Sequence, residues 1–271
     1  MTVHQSIGFV GGGNMGEALV KGLIAAGVFS PDRILAFDAD PQRLDYLRKT
    51  YSIQPCSGLK DLAAACGIVL FAVKPQVLPA VLDRMRPLIV HDTLVISIAA
   101  GIPLATLTRA LPEGTPIVRV MPNTPALVQQ GASALSRNDS VTDEQMRRAL
   151  EIFGAVGNAI EVEERLMDAV TGLSGSGPAY VLLFLEAMID AGVFMGLPRQ
   201  ISRQLALQTI QGTVRMVQET GKHPSELKDQ ITSPAGTTIA GLLALEDRAF
   251  HGAVMRAVEA ATARSRELGK G

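Results

Sequence analysis

A chain of 271 residues is long for one domain and short for three, and the usual ~100–200 residues per domain gives two. Its residues are 47% hydrophobic, and 25 Lys plus Arg stand against 26 Asp plus Glu for a net charge of −1. That excludes a disordered chain and, with no basic run, argues against nucleic acid or an anionic membrane surface as partner.

Mean hydropathy is positive at +0.24, with no Trp and 4% aromatic residues, so the apolarity comes from Ala, Val, Leu, Ile and Gly. The longest charge-free runs, Thr93–Thr108, Val120–Ser136 and Ala169–Leu185, each contain Pro, and none reaches the ~20 apolar residues of a span. The opening residues Met1–Ser6 carry no basic stretch, so no secretory signal is read. Cys56 and Cys66 have no companion at metal-ligand spacing. A cytoplasmic location and no bound metal are the expectations.

In chain order, Ser6–Gly11 reads as a strand ending in glycines and Glu17–Gly27 as a helix. Arg33–Asp38 is a second strand, followed by a helix over Pro41–Tyr51 with Asp40 as N-cap and Pro41 at its first position. Ile68–Val73 and Thr93–Ile98 are continuous apolar runs, the mark of central parallel strands covered on both faces. Gln76–Leu88 between them is helical, and further strands are expected at Pro116–Met121, Ala132–Ser136 and Ala159–Glu163. Alternating strands and helices predict a doubly wound parallel sheet of Rossmann type, class α/β.

After Glu164 the strand signals stop. Helices are expected over Ala179–Met195, Pro198–Thr220 and Asp247–Leu268, where Phe250, Val254, Val258 and Ala261 share a face. Two glycine-bearing interruptions, Ser174–Pro178 and Ser233–Thr238, break this all-α half. The expected division is therefore 1–164, a dinucleotide-binding domain, and 165–271, a helical domain.

Gly11, Gly12, Gly13, Asn14, Met15 and Gly16 fit G-x-G-x-x-G between a strand and a helix. Such a turn brings backbone against a pyrophosphate at a helix N-terminus. The alternative is a glycine-rich turn that binds nothing. Asp38, at the end of the second strand, suits the adenosine ribose hydroxyls and so NADH. Arg43, one turn into the next helix, could reach the 2′-phosphate of NADPH, although a solvated helix charge is the preferred reading. Two further strand ends face the same edge of the sheet. Ala72, Val73, Lys74 and Pro75 follow one, and Ile98, Ala99, Ala100 and Gly101 the other. Lys74 could touch ribose or phosphate, and the small residues 99–101 would admit a nicotinamide. Ordinary strand-ending turns remain the plain alternative.

Alcohol oxidation normally needs a general base. His4, His91, His223 and His251 avoid the glycine loops and read as surface residues, and Lys222, Lys228 and Lys270 lie near ends or loops. An imine substrate would need hydride and positioning with little acid–base work. Ser233, Pro234, Ala235, Gly236, Thr237 and Thr238, running into a helix over Ile239–Leu245, suit a carboxylate through N–H groups and hydroxyls. A simple N-cap by Thr237 or Thr238 is the alternative.

Assembled, the chain resembles the pyrroline-5-carboxylate reductase family. The likeness runs end to end through FVGGGNMG, Ala72–Gln76, Ser97–Gly101, Met121–Ala126, Leu173–Tyr180, His223–Asp229 and Ser233–Thr238. The resemblance implies reduction of 1-pyrroline-5-carboxylate to L-proline with NADPH or NADH, the last step of proline biosynthesis. It implies that Gly11–Gly16 hold pyrophosphate and that Ala72–Pro75 and Ile98–Ala100 border nicotinamide and its ribose. Ser233, Gly236, Thr237 and Thr238 would bind the substrate carboxylate, with the Thr238 hydroxyl near the ring nitrogen and Asn123 helping to close the site. It further implies a homodimer intertwined through the helical domain, with pentamers of dimers in many members. The apolar helix Ala179–Met195 fits such an interface, or else a monomer's core. Three positions depart from the family pattern. Ala235 stands for a glycine, Leu59 for an Asn near the adenosine, and Asp38 for a small polar residue. A related cyclic-imine reductase and a silent NAD(P)H-binding protein remain the alternatives.

Overall fold

The computed structural model describes residues 6–269; Met1–Gln5, with His4, and Lys270–Gly271 lie outside them. Strand and helix alternate as expected. β1 (Ile7–Val10), α1 (Asn14–Ala25), β2 (Ile34–Phe37), α2 (Pro41–Tyr51), β3 (Gln54–Pro55) and α3 (Leu59–Ala65) come first. β4 (Ile68–Phe71), α4 (Leu78–Met85), β5 (Leu94–Ser97), α5 (Leu104–Ala110) and β6 (Ile117–Met121) continue the pattern. β7 (Gly131–Arg137), α6 (Asp143–Gly154) and β8 (Gly157–Glu161) complete the sheet. The α2 start is as read from sequence: Asp40 caps it by accepting from the Gln42 N–H at 2.9 Å.

The strands stand in the order β3-β2-β1-β4-β5-β6-β7-β8, a Rossmann sheet with two strands added at one edge. Neighbours are parallel except β6 and β7, which are antiparallel. The expected parallel sheet is thus present, with this one antiparallel pair in it. Residues 122–130 are too few for a crossover, which takes a dozen or more, so the chain turns back. α6 then supplies the crossover that sets β8 parallel to β7.

Successive strand residues point to opposite faces. Ile68 and Leu70 pack with α1 and α6 through Leu19, Leu23, Ile152 and Phe153. Val69 and Phe71 pack with α3, α4 and α5 through Leu62, Leu82 and Leu107. Burial on both sides is why these strands read as unbroken apolar runs.

The helical part contains α7 (Met167–Val170), a π-helical turn (Thr171–Gly175), α8 (Gly177–Phe194) and α9 (Arg199–Thr220). α10 (Pro224–Gln230), α11 (Thr237–Glu246) and α12 (Phe250–Leu268) follow. The expected break at Ser174–Pro178 is thus a widened helical turn rather than a loop. Thr171 and Ser174 donate back to the carbonyls of Met167 (2.9 Å) and Val170 (3.1 Å), which keeps those carbonyls bonded through the bend. Pro178 then falls in the first turn of α8, where no intrahelical N–H is needed.

By contact density one unit runs to Ser176 and takes back the chain from Ala260 onward, and the other spans Gly177–Glu259. Within the second unit, α8 and α9 form a hairpin in which Ser202 donates to the Ile189 carbonyl at 2.7 Å. Phe184 and Phe250 also meet there, with ring centroids 5.8 Å apart. No α8 residue is buried in the single chain, and Leu182 and Leu183 are 63% and 68% exposed. Glu164–Phe194 is the one helical stretch among the described residues long and apolar enough to cross a membrane by length and composition. It contains the charge-free run Ala169–Leu185, which by itself fell short of a span.

Candidate active site

In an open α/β sheet the ligand crevice forms outside the carboxyl ends of the strands, where strand order reverses. Here that point lies between β1 and β4, and the flanking turns are held in line by ladder bonds carried past the strand ends. Gly11 N–H donates to Phe37 (2.8 Å), Ala72 N–H to Val10 (2.8 Å) and Ile98 N–H to Phe71 (3.2 Å). A cleft of about 430 Å³ opens beside them, lined by Gly11, Gly13, Asp38, Ala72, Val73 and Lys74 among others.

The glycines do separate work. Gly11 has φ +102°, and a Cβ there would lie 2.6 Å from the Ala72 carbonyl oxygen. A Cβ on Gly16 would lie 2.8 Å from the Gly11 oxygen, so α1 starts tight against the turn. Around a Cβ on Gly13, by contrast, there is nothing within 4 Å. Gly13 caps α1 with no side-chain hydrogen bond, leaving the N–H groups of Asn14, Met15 and Gly16 without intrahelical partners. Open space, free N–H groups and a positive helix end fit a pyrophosphate.

Asp38 sits where β2 ends. Its carboxylate accepts from the N–H groups of Gly12 (2.7 Å) and Asp40 (2.9 Å). Arg43 is not a solvated helix charge, which corrects the preferred reading. Its guanidinium donates to the Gly12 carbonyl and to the Glu17 carboxylate, and lies 5.0 Å over the Tyr46 ring. Tyr46 and Tyr51 also donate to Glu17, at 3.0 and 2.8 Å. Burial raises the Glu17 carboxyl, but its bonds from Arg43, Tyr51 and Tyr46 leave it net lowered. The Tyr51 phenol is pushed up to about 12 by burial and by Glu17. Sequence reading missed this cluster, because Glu17 and Tyr51 stand 34 residues apart on separate helices. It also missed Val77, Ala80, Val81 and Arg84, which line the cleft from α4 and its approach. Their helical spacing after Lys74 was the available signal. Leu59 lines the same cleft.

Ala72–Pro75 follow β4, which stops at Phe71, and Ile98–Ala100 follow β5. Asn123 lies just after β6, and its amide is used in both directions. It donates to the Ser174 carbonyl (3.0 Å) and accepts from the Ala132 N–H (2.8 Å), tying the π-helical turn to β7.

Ser233–Thr238 belongs to the second unit. Gly236, not a threonine, is the N-cap of α11, so Thr237 and Thr238 occupy its first two positions. Ala235 has φ +55°, the left-handed conformation that glycine favours. A Cβ on Gly236 would fall 2.3 Å from Ser233 Oγ, so a side chain there would make the Ser233 hydroxyl turn away. His91 and His251 are exposed, and His223 caps α10 by accepting from the Ser225 N–H at 3.3 Å.

A pyrroline-5-carboxylate reductase of Synechocystis is 47% identical over 269 residues, covering 97% of this chain and 98% of that protein. The chain belongs to the pyrroline-5-carboxylate reductase family. The Methanosarcina acetivorans enzyme of that name is 48% identical, covering 98% and 99%. The family model for pyrroline-5-carboxylate reductase dimerisation matches residues 164–268. A second model, NADP oxidoreductase coenzyme F420-dependent, matches residues 6–101. Among solved structures, a Coxiella burnetii pyrroline-5-carboxylate reductase superposes with TM-score 0.94 at 34% identity, covering 98% and 99%. The Plasmodium falciparum pyrroline carboxylate reductase with NADP bound gives 0.88 at 38% identity, covering 98% of each chain.

Proposed function

We propose that this protein reduces 1-pyrroline-5-carboxylate to L-proline with NADH or NADPH. The observation that carries this reading is family likeness over essentially the whole chain, 40–48% in the Synechocystis, Methanosarcina and Escherichia coli relatives.

In this reading residues 1–164 hold the dinucleotide and 165–271 form the dimer and bind substrate. Gly11, Gly12, Gly13, Asn14, Met15 and Gly16 take the pyrophosphate, and Asp38 takes the adenosine ribose. Ala72, Val73, Lys74 and Pro75, with Ile98, Ala99 and Ala100, border the nicotinamide end. The reduced cofactor supplies the hydride, which adds to C5 of the imine. Ser233, Gly236, Thr237 and Thr238 bind the substrate carboxylate at the α11 N-terminus, where free N–H groups and the dipole favour an anion. Thr238 holds the hydroxyl beside the ring nitrogen, which gains the proton as C=N becomes CH–NH. Asn123 closes the site by fixing the Ser174 segment. No group on this chain need act as a strong base, in keeping with the exposed His91, His223 and His251.

A homodimer covering α8, assembled further into pentamers of dimers, and a cytoplasmic location complete the proposal. The test is oxidation of NADH or NADPH by purified protein with 1-pyrroline-5-carboxylate. Absence of turnover with both cofactors, despite dinucleotide binding, would leave a silent binding protein. Turnover only with another cyclic imine would move the substrate. Thr238→Ala should lower kcat roughly tenfold or more while dinucleotide affinity holds. A change confined to dinucleotide affinity would remove Thr238 from the substrate site.

A further inference from the structure

We infer that Asp38 and Glu17 together make this chain select NADH over NADPH: Asp38 takes the place a 2′-phosphate would need, and Glu17 holds Arg43 away from serving one. The inference rests on the reductase reading and adds the choice of dinucleotide and a residue that controls it.

The Asp38 carboxylate is fixed at both oxygens, by Gly12 N–H at 2.7 Å and Asp40 N–H at 2.9 Å. A carboxylate oxygen has a further acceptor site beyond each of these bonds, enough for a ribose diol. A 2′-phosphate brought to the same place would meet like charge in a partly desolvated cleft. Arg43 is the cation that flanks Asp38 across Gly12. Built on Gly12, a Cβ would touch both Arg43 Cγ and Asp38 Oδ2 at 3.5 Å.

Arg43 is nonetheless committed elsewhere. Its Nε serves the Gly12 carbonyl and its Nη2 the Glu17 carboxylate, which takes one of the two edges by which a guanidinium grips a phosphate. Tyr46 and Tyr51 fill the other Glu17 oxygen, so the carboxylate is fully engaged. Glu17 is charged at neutral pH, its acidity set by those same bonds. Glu17 thus acts through Arg43, as a positioning residue. The cations that line the cleft itself are Lys74 and Arg84, and the experiment must separate them from Arg43.

The test compares wild type with Asp38→Ser, Glu17→Gln and Asp38→Ser/Glu17→Gln, the double change also in an Arg43→Ala background. Two readouts are used: kcat/KM for NADH and NADPH, and calorimetric affinity for ADP-ribose against its 2′-phosphate, which needs no turnover. Wild type should favour NADH and ADP-ribose by at least about tenfold, ~1.4 kcal/mol. Asp38→Ser should shrink that ratio roughly tenfold. Adding Glu17→Gln should lower KM for NADPH further at unchanged kcat, and Arg43→Ala should cancel that gain. Wild type that uses NADPH as well as NADH overturns the proposal. So does a Glu17→Gln gain that survives Arg43→Ala, or one that only Arg84→Ala removes. Absent turnover with selective ADP-ribose binding would instead defeat the reductase reading and leave the selection standing.

Discussion

Arg119, inside β6 with only 7% of its side chain exposed, is paired with Glu164 at 2.6 Å. The same Glu164 oxygen accepts from the Leu104 N–H at 3.1 Å, so one carboxylate joins β6, α5 and the first residue matched to the dimerisation model. Removing one partner of a part-buried pair leaves the other charge poorly paired, at less than the ~3–5 kcal/mol of a fully buried one, whereas replacing both is far milder. Arg119→Ala should therefore cost about 2 kcal/mol of folding stability. Arg119→Met/Glu164→Gln should lie within about 1 kcal/mol of wild type. Urea titration of the variants checks this; equal losses in the single and double variants would contradict it.

Gly13 and Gly11 should respond to alanine in opposite ways. Gly13→Ala adds a methyl where no protein atom lies within 4 Å, so unfolding should shift by under about 0.5 kcal/mol. Its KM for the dinucleotide should nevertheless rise roughly tenfold or more, because only the ligand needs that space. Gly11→Ala meets both a positive φ and a carbonyl at 2.6 Å and should destabilise the fold itself. Thermal melts alongside KM measurements separate the two.

Ala235 holds φ +55°, a conformation that costs an L-residue about 1–2 kcal/mol. Glycine avoids that strain and gives back part of it as chain entropy. Ala235→Gly should thus stabilise by about 0.5 kcal/mol, and Ala235→Val should destabilise by more than that. The opposite order in chemical unfolding would show the turn to be unstrained.

Glu17 has a lowered carboxyl in the folded chain relative to its ordinary 4.5. A group with a depressed folded pKa adds stability that is present above the unfolded value and lost as pH falls through the folded one. The deficit of Glu17→Gln against wild type should therefore be full at pH 7 and shrink below about pH 4. A deficit independent of pH would mean that shape rather than charge is at work.

Leu182 and Leu183 lie 63% and 68% exposed on a helix with no residue buried in the single chain. The dimerisation match spans that helix. Leu183→Glu should convert the assembled protein to smaller, less soluble species by light scattering. An unchanged mass would place the interface elsewhere.

Much of the candidate site's backbone was legible before the fold because turns and strand ends depend on local sequence. Gly11–Gly16, Asp38 and the ends of β4 and β5 announce themselves by glycine spacing and strand termination. The Asp40 cap and the Pro41 start of α2 are likewise local. The π-helical turn at Thr171–Gly175 was not legible, since Ser174 and Gly175 look like a loop until the Met167 and Val170 carbonyls are seen bonded. The antiparallel seam at β6 and β7 could have been read from how little chain joins the two expected strands.

The sequence by itself determined the α/β class, the glycine turn before α1 and the turn before α11, because each rests on periodicity or on residues adjacent along the chain. Only the tertiary structure decided which long-range partner each charge takes. Arg43 is within one helical turn of Asp40 in sequence, yet its fate is set by Glu17 from α1 and by Tyr46 and Tyr51. Arg119 is one residue in an apolar strand until Glu164 meets it. Charge pairing follows distance in space, and folding alone sets that distance.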